Sequence, residues 1–179
     1  MRTFCVAVCT LLIALLSACA SMTPEECRLS QWGDVGLRDG LAGEPLSRLS
    51  SLSKDCAEAK VAVDTPAYLQ GRSQGLLTYC RMDNAAALGL AGKYYQGVCP
   101  ASVDAEFRRR FGLGREVFDA RQQLNSLDGR RPGLERRLND AKGDDDKRRL
   151  RNELSDLDAS LRRGRDRVRD AEWQFDRLR

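Results

Sequence analysis

The chain has 179 residues, 30 Lys and Arg against 26 Asp and Glu, a formal net charge of +4, and no histidine. Without histidine, Ser-His-Asp and Cys-His catalysis and histidine-ligated zinc are excluded. No glycine-rich loop runs into Lys-Ser or Lys-Thr, and the spacing of Asp34, Asp39, Asp64 and Asp83 singles out no carboxylate pair of the kind glycoside hydrolysis needs. The expectation is therefore a protein that is not an enzyme and uses no cofactor.

The first element is apolar. Met1-Arg2-Thr3 carries one positive charge, and Phe4 to Leu16 is a run of thirteen mostly apolar residues. A membrane-spanning helix needs about 20, so the run has the length of a signal-peptide core instead. Leu16-Ser17-Ala18-Cys19 resembles the bacterial lipobox, in which small residues precede a cysteine that is lipidated and becomes the first residue. The resemblance implies a signal peptide over 1–18, acyl chains on Cys19, and a lipidated tether over 19–26. Two or more acyl chains anchor a protein stably. Ala20 and Ser21 follow the cysteine, with no Asp beside it. By resemblance to the enterobacterial sorting rule, that implies the periplasmic face of the outer membrane. The eight steps from Cys19 to Cys27 reach at most about 28 Å, so folding should start near the bilayer. In that compartment nucleic acid is not an expected partner.

Export implies an oxidising compartment, and four cysteines remain beyond Cys19. Cys27, Cys56, Cys80 and Cys99 read as two disulfides, each contributing about 2–4 kcal/mol. Three connectivities are open. A metal site is disfavoured because there is no histidine and no close cysteine pair. Residues 20–102 hold 8 basic against 9 acidic residues, whereas 103–179 hold 21 against 17. This shift separates a cysteine-containing helical unit, 27–102, from a second unit, 103–179.

In the first unit three segments repeat a pattern: Trp32 to Gly43, Tyr68 to Cys80, and Leu88 to Pro100. Each sets an aromatic residue beside glycines three or four apart. On a helix, Gly36 then aligns with Gly40, and Gly71 with Gly75. Such a face lets two backbones approach closely. It costs about 1 kcal/mol per glycine in helix propensity, so packing must offset it. Leu46 to Ala59 reads as another short helix. Thr65-Pro66 reads as an N-cap followed by proline in the first turn. Asp39 and Arg72 hold related places in two repeats, where they can pair across helices. With Trp32 and Tyr68 they form the one candidate binding group.

These blocks, with Phe107-Arg108-Arg109-Arg110-Phe111-Gly112-Leu113-Gly114 as the last, resemble a family of uncharacterised proteobacterial lipoproteins, domain of unknown function twenty-seven ninety-nine. The resemblance runs from about Cys27 to Gly114. It implies the lipoprotein character and the first unit, and it carries no activity.

The second unit has the clearest periodicity. Leu150, Leu154, Leu157, Leu161, Gly164, Val168, Ala171, Phe175 and Leu178 alternate in steps of four and three. So do Leu113, Val117, Ala120, Leu124, Leu127, Arg131, Leu134, Leu138 and Ala141. That is a coiled-coil seam. Folded back at Gly143 and the aspartates after it, the two runs register. Leu138 meets Leu150, Leu134 meets Leu154, Leu127 meets Leu161, Leu124 meets Gly164, and Val117 meets Ala171. Pro132 predicts a kink rather than a long loop, because proline clashes with the carbonyl four residues back. Arg131 is a poor seam residue and should turn outward. Interleaved acids make the arginines a salt-bridged surface rather than a basic face.

The fold class expected is all-α: a small disulfide-stapled glycine-rich helical unit followed by a long antiparallel coiled-coil hairpin. The function expected is that of a non-enzymatic envelope lipoprotein, with the membrane and an envelope protein as partners. The alternative is a periplasmic binding module for a small envelope ligand, built on Trp32, Asp39, Tyr68 and Arg72.

Overall fold

The computed structural model describes residues 22–178. The expected signal peptide and lipidated Cys19 lie outside the described residues. Among the described residues the chain is all-helical, with eight helices and two disulfides, Cys27–Cys56 and Cys80–Cys99. The described residues divide into two compact units, which part between Thr78 and Tyr79.

The first unit opens with α1 (Pro24–Leu29), fixed by a reciprocal cap. Thr23 Oγ1 accepts from the Glu26 N–H at 3.2 Å, and the Glu26 carboxylate accepts from the Thr23 N–H at 2.7 Å. Helix α2 (Trp32–Ala42) stops at Gly43, whose φ of 70° is left-handed. The Gly43 and Glu44 amides fold back onto carbonyls of the last turn. Helices α3 (Ser47–Glu58) and α4 (Thr65–Tyr79) complete the unit. The cap of α4 is Asp64, one residue before the expected Thr65: its carboxylate accepts from the Ala67 amide at 3.0 Å. Cys27, Trp32, Val35, Leu52, Cys56 and Tyr68 form the core.

The glycine faces of α2 and α4 meet each other. A methyl group built on Gly36 would overlap the Tyr68 carbonyl, and one on Gly40 the Arg72 carbonyl. From the other side, a methyl on Gly71 would overlap the Gly33 carbonyl, and one on Gly75 would lie 2.6 Å from the Leu41 nitrogen. No Cβ fits between these backbones.

The second unit begins at its disulfide. Helix α5 (Met82–Leu90) packs on α6 (Ala101–Asp128), which is followed by α7 (Arg131–Asp140) and α8 (Asp144–Asp176). A second backbone contact occurs here. A methyl on Gly89 would lie 2.8 Å from the Arg115 nitrogen, and one on Gly114 would lie 2.9 Å from the Leu90 nitrogen. Tyr79, Tyr95, Phe107 and Phe111 cluster near the disulfide. The composition shift near residue 102 and the packing boundary at Thr78–Tyr79 therefore fall at different places. Composition changes where α6 begins, whereas packing follows the α5–α6 contact and keeps Cys80–Cys99 with α6.

Helices α6 and α7 both pack on α8. Leu134, Leu150, Leu157 and Leu161 form one cluster, flanked by Leu124, Leu127, Leu138, Ala141 and Leu154. Val117, Ala120 and Ala171 form another, with Leu90, Val168 and Phe175 against it. Pro132 interrupts the helical ladder for two residues, yet Gly129 and Arg130 keep right-handed helical angles. Arg131 turns outward to Asp158 and, at 3.5 Å, to Glu135. Gly143 does not end α7 in a left-handed turn. It caps α8 with φ −87°, and Asp144, Asp145 and Asp146 fill the first turn of α8, where acids suit the helix dipole.

The two glycines of the segment from Phe107 to Gly114 separate packing from propensity. Gly114→Ala should destabilise the second unit by about 1–3 kcal/mol through overpacking. Gly112→Ala, two residues away with nothing within 4 Å of its added methyl, should stabilise it by about 0.5–1 kcal/mol. Urea unfolding of the two variants measures both; equal effects would mean the backbone contact is not what holds α5 to α6.

Candidate functional site

The four residues offered by the sequence are placed by the α2–α4 contact. Tyr68 is 0% exposed and Trp32 is 9% exposed, and both belong to the core. The Tyr68 hydroxyl donates to Asp39 Oδ2 at 2.7 Å. One turn further along α4, Arg72 Nη2 donates to the Glu44 carbonyl at 2.7 Å. The expected Asp39–Arg72 pair does not form, because each residue takes a different partner. The reason lies at the end of α2. Its terminal turn closes on Gly43, and Arg72 is drawn to the carbonyl just beyond, as cations are at helix C-termini. The Arg72 Nε is buried with no hydrogen-bond partner in the protein.

Tyr68 and Arg72 thus work from behind. They hold Asp39 and Glu44, and these two residues line a cleft of about 1170 Å³ bounded by α1, α2 and α3. Asp34 and Arg38 of α2, Glu25 of α1 and Arg48 of α3 also line it, with Val35 and Leu52 as apolar lining. Disulfide Cys27–Cys56 joins α1 to α3, so two of the walls are covalently linked. Asp34 and Arg38 stand four apart on α2, a same-face signal present in the sequence. Glu44 and Arg48 reach the cleft through the turn after α2, and no local spacing announces that. Of the four candidate residues, only Asp39 faces the cleft.

The second unit contains a related arrangement. Tyr95 donates to Asp104 and accepts from the Cys99 amide at 3.0 Å. Arg108 bonds Asp104 at 2.6 Å and lies 5.0 Å from the centre of the Tyr95 ring. Burial, and then the hydrogen bond to Asp104, push the Tyr95 phenol up to about 12. The same hydrogen bond, followed by Arg108, lowers the Asp104 carboxyl. Burial and Asp39 likewise raise Tyr68 well above the ordinary phenol range. Phenols moved this far from neutrality are poorly matched to proton transfer at pH 7. Their O–H groups act as fixed donors that orient carboxylates.

Residues 31–116 match the family model described as protein of unknown function (DUF2799), and the chain carries this uncharacterised domain over those residues. No curated protein and no solved structure matches the chain. The matched segment starts at the cap residue of α2 and ends two residues beyond Gly114. It therefore contains both glycine contacts, both tyrosine–aspartate bonds and most of the cleft, whereas most of the long helical arm lies past it.

The raised Tyr95 phenol gives a signed pH dependence. A neutral Tyr95 stabilises the fold fully below its ordinary pKa of 10, and the contribution is lost as pH rises through about 12. Urea unfolding should show stability falling across that window. In Tyr95→Phe the fall should be shallower, with Tyr68 still contributing. Identical slopes would remove Tyr95 from the account.

Proposed function

We propose that this chain is an exported, lipid-anchored envelope protein without enzymatic activity. Acyl chains on Cys19 hold it to the periplasmic face of the outer membrane. Residues 101–178 form an antiparallel coiled-coil hairpin that presents a surface to an envelope protein. The mechanism is placement: the anchor fixes the base, and the hairpin projects a contact face.

The hairpin reading draws support from contacts between the helices. A methyl on Gly164 would lie 3.2 Å from Leu124, its expected seam partner. Arg121–Glu172, Arg131–Asp158 and Arg137–Glu153 are ion pairs between helices, and their numbers run in opposite directions. At about 1.5 Å per residue, the 33 residues of α8 extend roughly 50 Å.

The observation that carries the interaction role is Trp173. It stands off the seam, 60% exposed on a helix face otherwise made of charged residues. The Arg177 guanidinium lies 4.7 Å from its ring centre. Tryptophan and arginine are the residues most enriched where partners bind. An exposed indole already stacked on a cation offers a rigid contact at little cost in side-chain entropy.

Two experiments test this reading. A photo-crosslinking residue at Arg169, one turn from Trp173, should give one dominant protein adduct in cells. That adduct should fade in Trp173→Ala and in Cys19→Ser. Adducts to lipid or glycan alone, or none, would defeat the interaction role. For the hairpin itself, Leu127→Cys with Leu161→Cys should form an intramolecular disulfide rapidly on mild oxidation. Bonding of residue 127 only to sites far from 161 would overturn the register.

A further inference from the structure

We propose that the outward face of α8 from Arg162 to Trp173 takes an acidic segment of a partner protein, whose carboxylates meet the arginines and whose apolar residue covers the indole. The inference rests on the interaction role proposed above and supplies the partner's chemistry.

The first argument is where positive charge is left unbalanced. Residues 162–169 hold five arginines and a single acid, Asp166. Among the described residues only one of the five is ion-paired, Arg169 with Asp166 at 2.9 Å. Arg163 donates to the Ser160 hydroxyl at 3.0 Å, and Arg167 donates to Gln123 Oε1. Both of those acceptors are neutral. The segment 121–131, which meets this part of α8 through Arg167–Gln123 and Arg131–Asp158, adds three arginines against one aspartate. The start of α8 differs, because Arg148 and Arg149 there are paired with Asp145 and Asp146. The surplus is therefore local.

The second argument is that this surplus shares a helix face with an exposed apolar anchor. Arg162, Arg169 and Trp173 stand seven and then four residues apart, and Arg165 lies about one turn from both arginines. At about 1.5 Å per residue the row from Arg162 to Trp173 is roughly 16 Å long. Leu157, Leu161, Gly164 and Ala171 are buried along the packed side of α8. The three arginines and the indole are exposed. The Arg169–Asp166 pair is exposed at both ends, so it contributes little and yields to a better-placed carboxylate.

The third argument selects the partner. Guanidinium groups carry the whole surplus, and their parallel N–H donors fit a carboxylate or a phosphate. Residues 121–131 and 158–169 contain no aromatic residue, so the band offers nothing for nucleic-acid bases to stack on. A bare polyanion would engage the arginines and leave Trp173 uncovered. A protein segment supplies both acids and an apolar side chain. Asp170 and Asp176, both exposed, flank Trp173 in the chain. They fix the polarity: the partner's acids lie toward Arg162 and its apolar residue toward Trp173.

The test uses the purified full chain and nitrogen-15 NMR. Its reporter is the indole N–H of Trp173. Trp32, the other tryptophan, lies in the core of the first unit and serves as the internal control. The probe is a synthetic helical peptide with leucine on one turn and glutamates on the next two turns of the same face. It should move the Trp173 signal saturably and leave Trp32 in place. Its counterpart with glutamine for each glutamate should bind at least about tenfold more weakly. Arg162 and Arg165 are exposed and outside the packed clusters, so Arg162→Gln with Arg165→Gln keeps the fold. That variant should lose about tenfold in affinity for the glutamate peptide. Arg148→Gln with Arg149→Gln, an equal loss of charge, should bind as the parent does. Equal affinity for the glutamine peptide, or parental affinity in the Arg162 and Arg165 variant, overturns the proposal. So does an equal Trp173 shift with inorganic polyphosphate, which would make the face a general polyanion site. A Trp173 shift with protein concentration alone would assign the face to a second copy. Peptide binding without any adduct in cells would defeat the role proposed above and leave this chemistry standing.

Discussion

Two helices whose backbones touch leave no room for side chains between them, and α2 and α4 meet in this way. At Gly36, Gly40, Gly71 and Gly75 a carbonyl or amide of the neighbouring helix occupies the place where a Cβ would stand. Four glycines inside helices cost about 1 kcal/mol each in propensity. Close packing, with weak Cα–H···O contacts, has to offset that loss. The disulfide from α1 to α3 constrains the same unit. The consequence is distance. Because α4 lies against α2 without a side-chain layer, the Tyr68 hydroxyl reaches Asp39 and the Arg72 guanidinium reaches Glu44. Move α4 outward by one methyl layer and neither bond closes.

The two units use one set of devices for different ends. Each has a glycine contact between helices, a disulfide, and a buried or half-buried tyrosine donating to an aspartate. In the second unit the aspartate is also bonded to Arg108, and its charge is balanced on the spot. In the first, the phenol of Tyr68 donates to Asp39 from the core of the unit. Exposed ion pairs contribute little each, typically 0–1 kcal/mol. The dense pairing along α6, α7 and α8 therefore adds little stability. Its effect is to keep the arm from becoming a uniformly basic face.

What could be read in the sequence follows from how local each interaction is. The packing of Leu134 with Leu150, Leu157 and Leu161 was legible because packed helices repeat their contact every three or four residues, and the repeat is written in the leucines. The glycine faces of α2 and α4 were legible for the same reason, with partners four apart in each helix. The α5–α6 contact was not, because it sets Gly89 against Gly114 and no spacing within either helix marks the pair. Disulfide connectivity was not legible either. Closing loops of different lengths changes the entropy only slowly, so nothing local favours Cys27–Cys56 with Cys80–Cys99 over the other pairings. Asp39 and Arg72 were placed near each other correctly and paired incorrectly. Their side chains obey the ends of α2 and the depth of Tyr68, which only the assembled unit defines.

The arm grows out of the domain without a joint. Helix α6 carries Gly114, which meets α5, and one turn later Val117, which meets α8. Leu90 at the end of α5 packs with Val117, Ala120 and Ala171, so the α5–α6 contact and the α6–α8 contact share side chains. A flexible linker would have let the arm swing. A continuous 28-residue helix instead transmits its orientation directly from one contact to the other. The break at Pro132 lies far from this junction, between Leu127 and Leu134, where α7 continues to pack on α8. A partner that grips α8 near Trp173 would therefore act on the rigid root of the arm, within one or two turns of Phe175 and Ala171. Force or binding energy applied there would pass to α5 through the packed side chains of Leu90, Val117 and Ala171 rather than through α7.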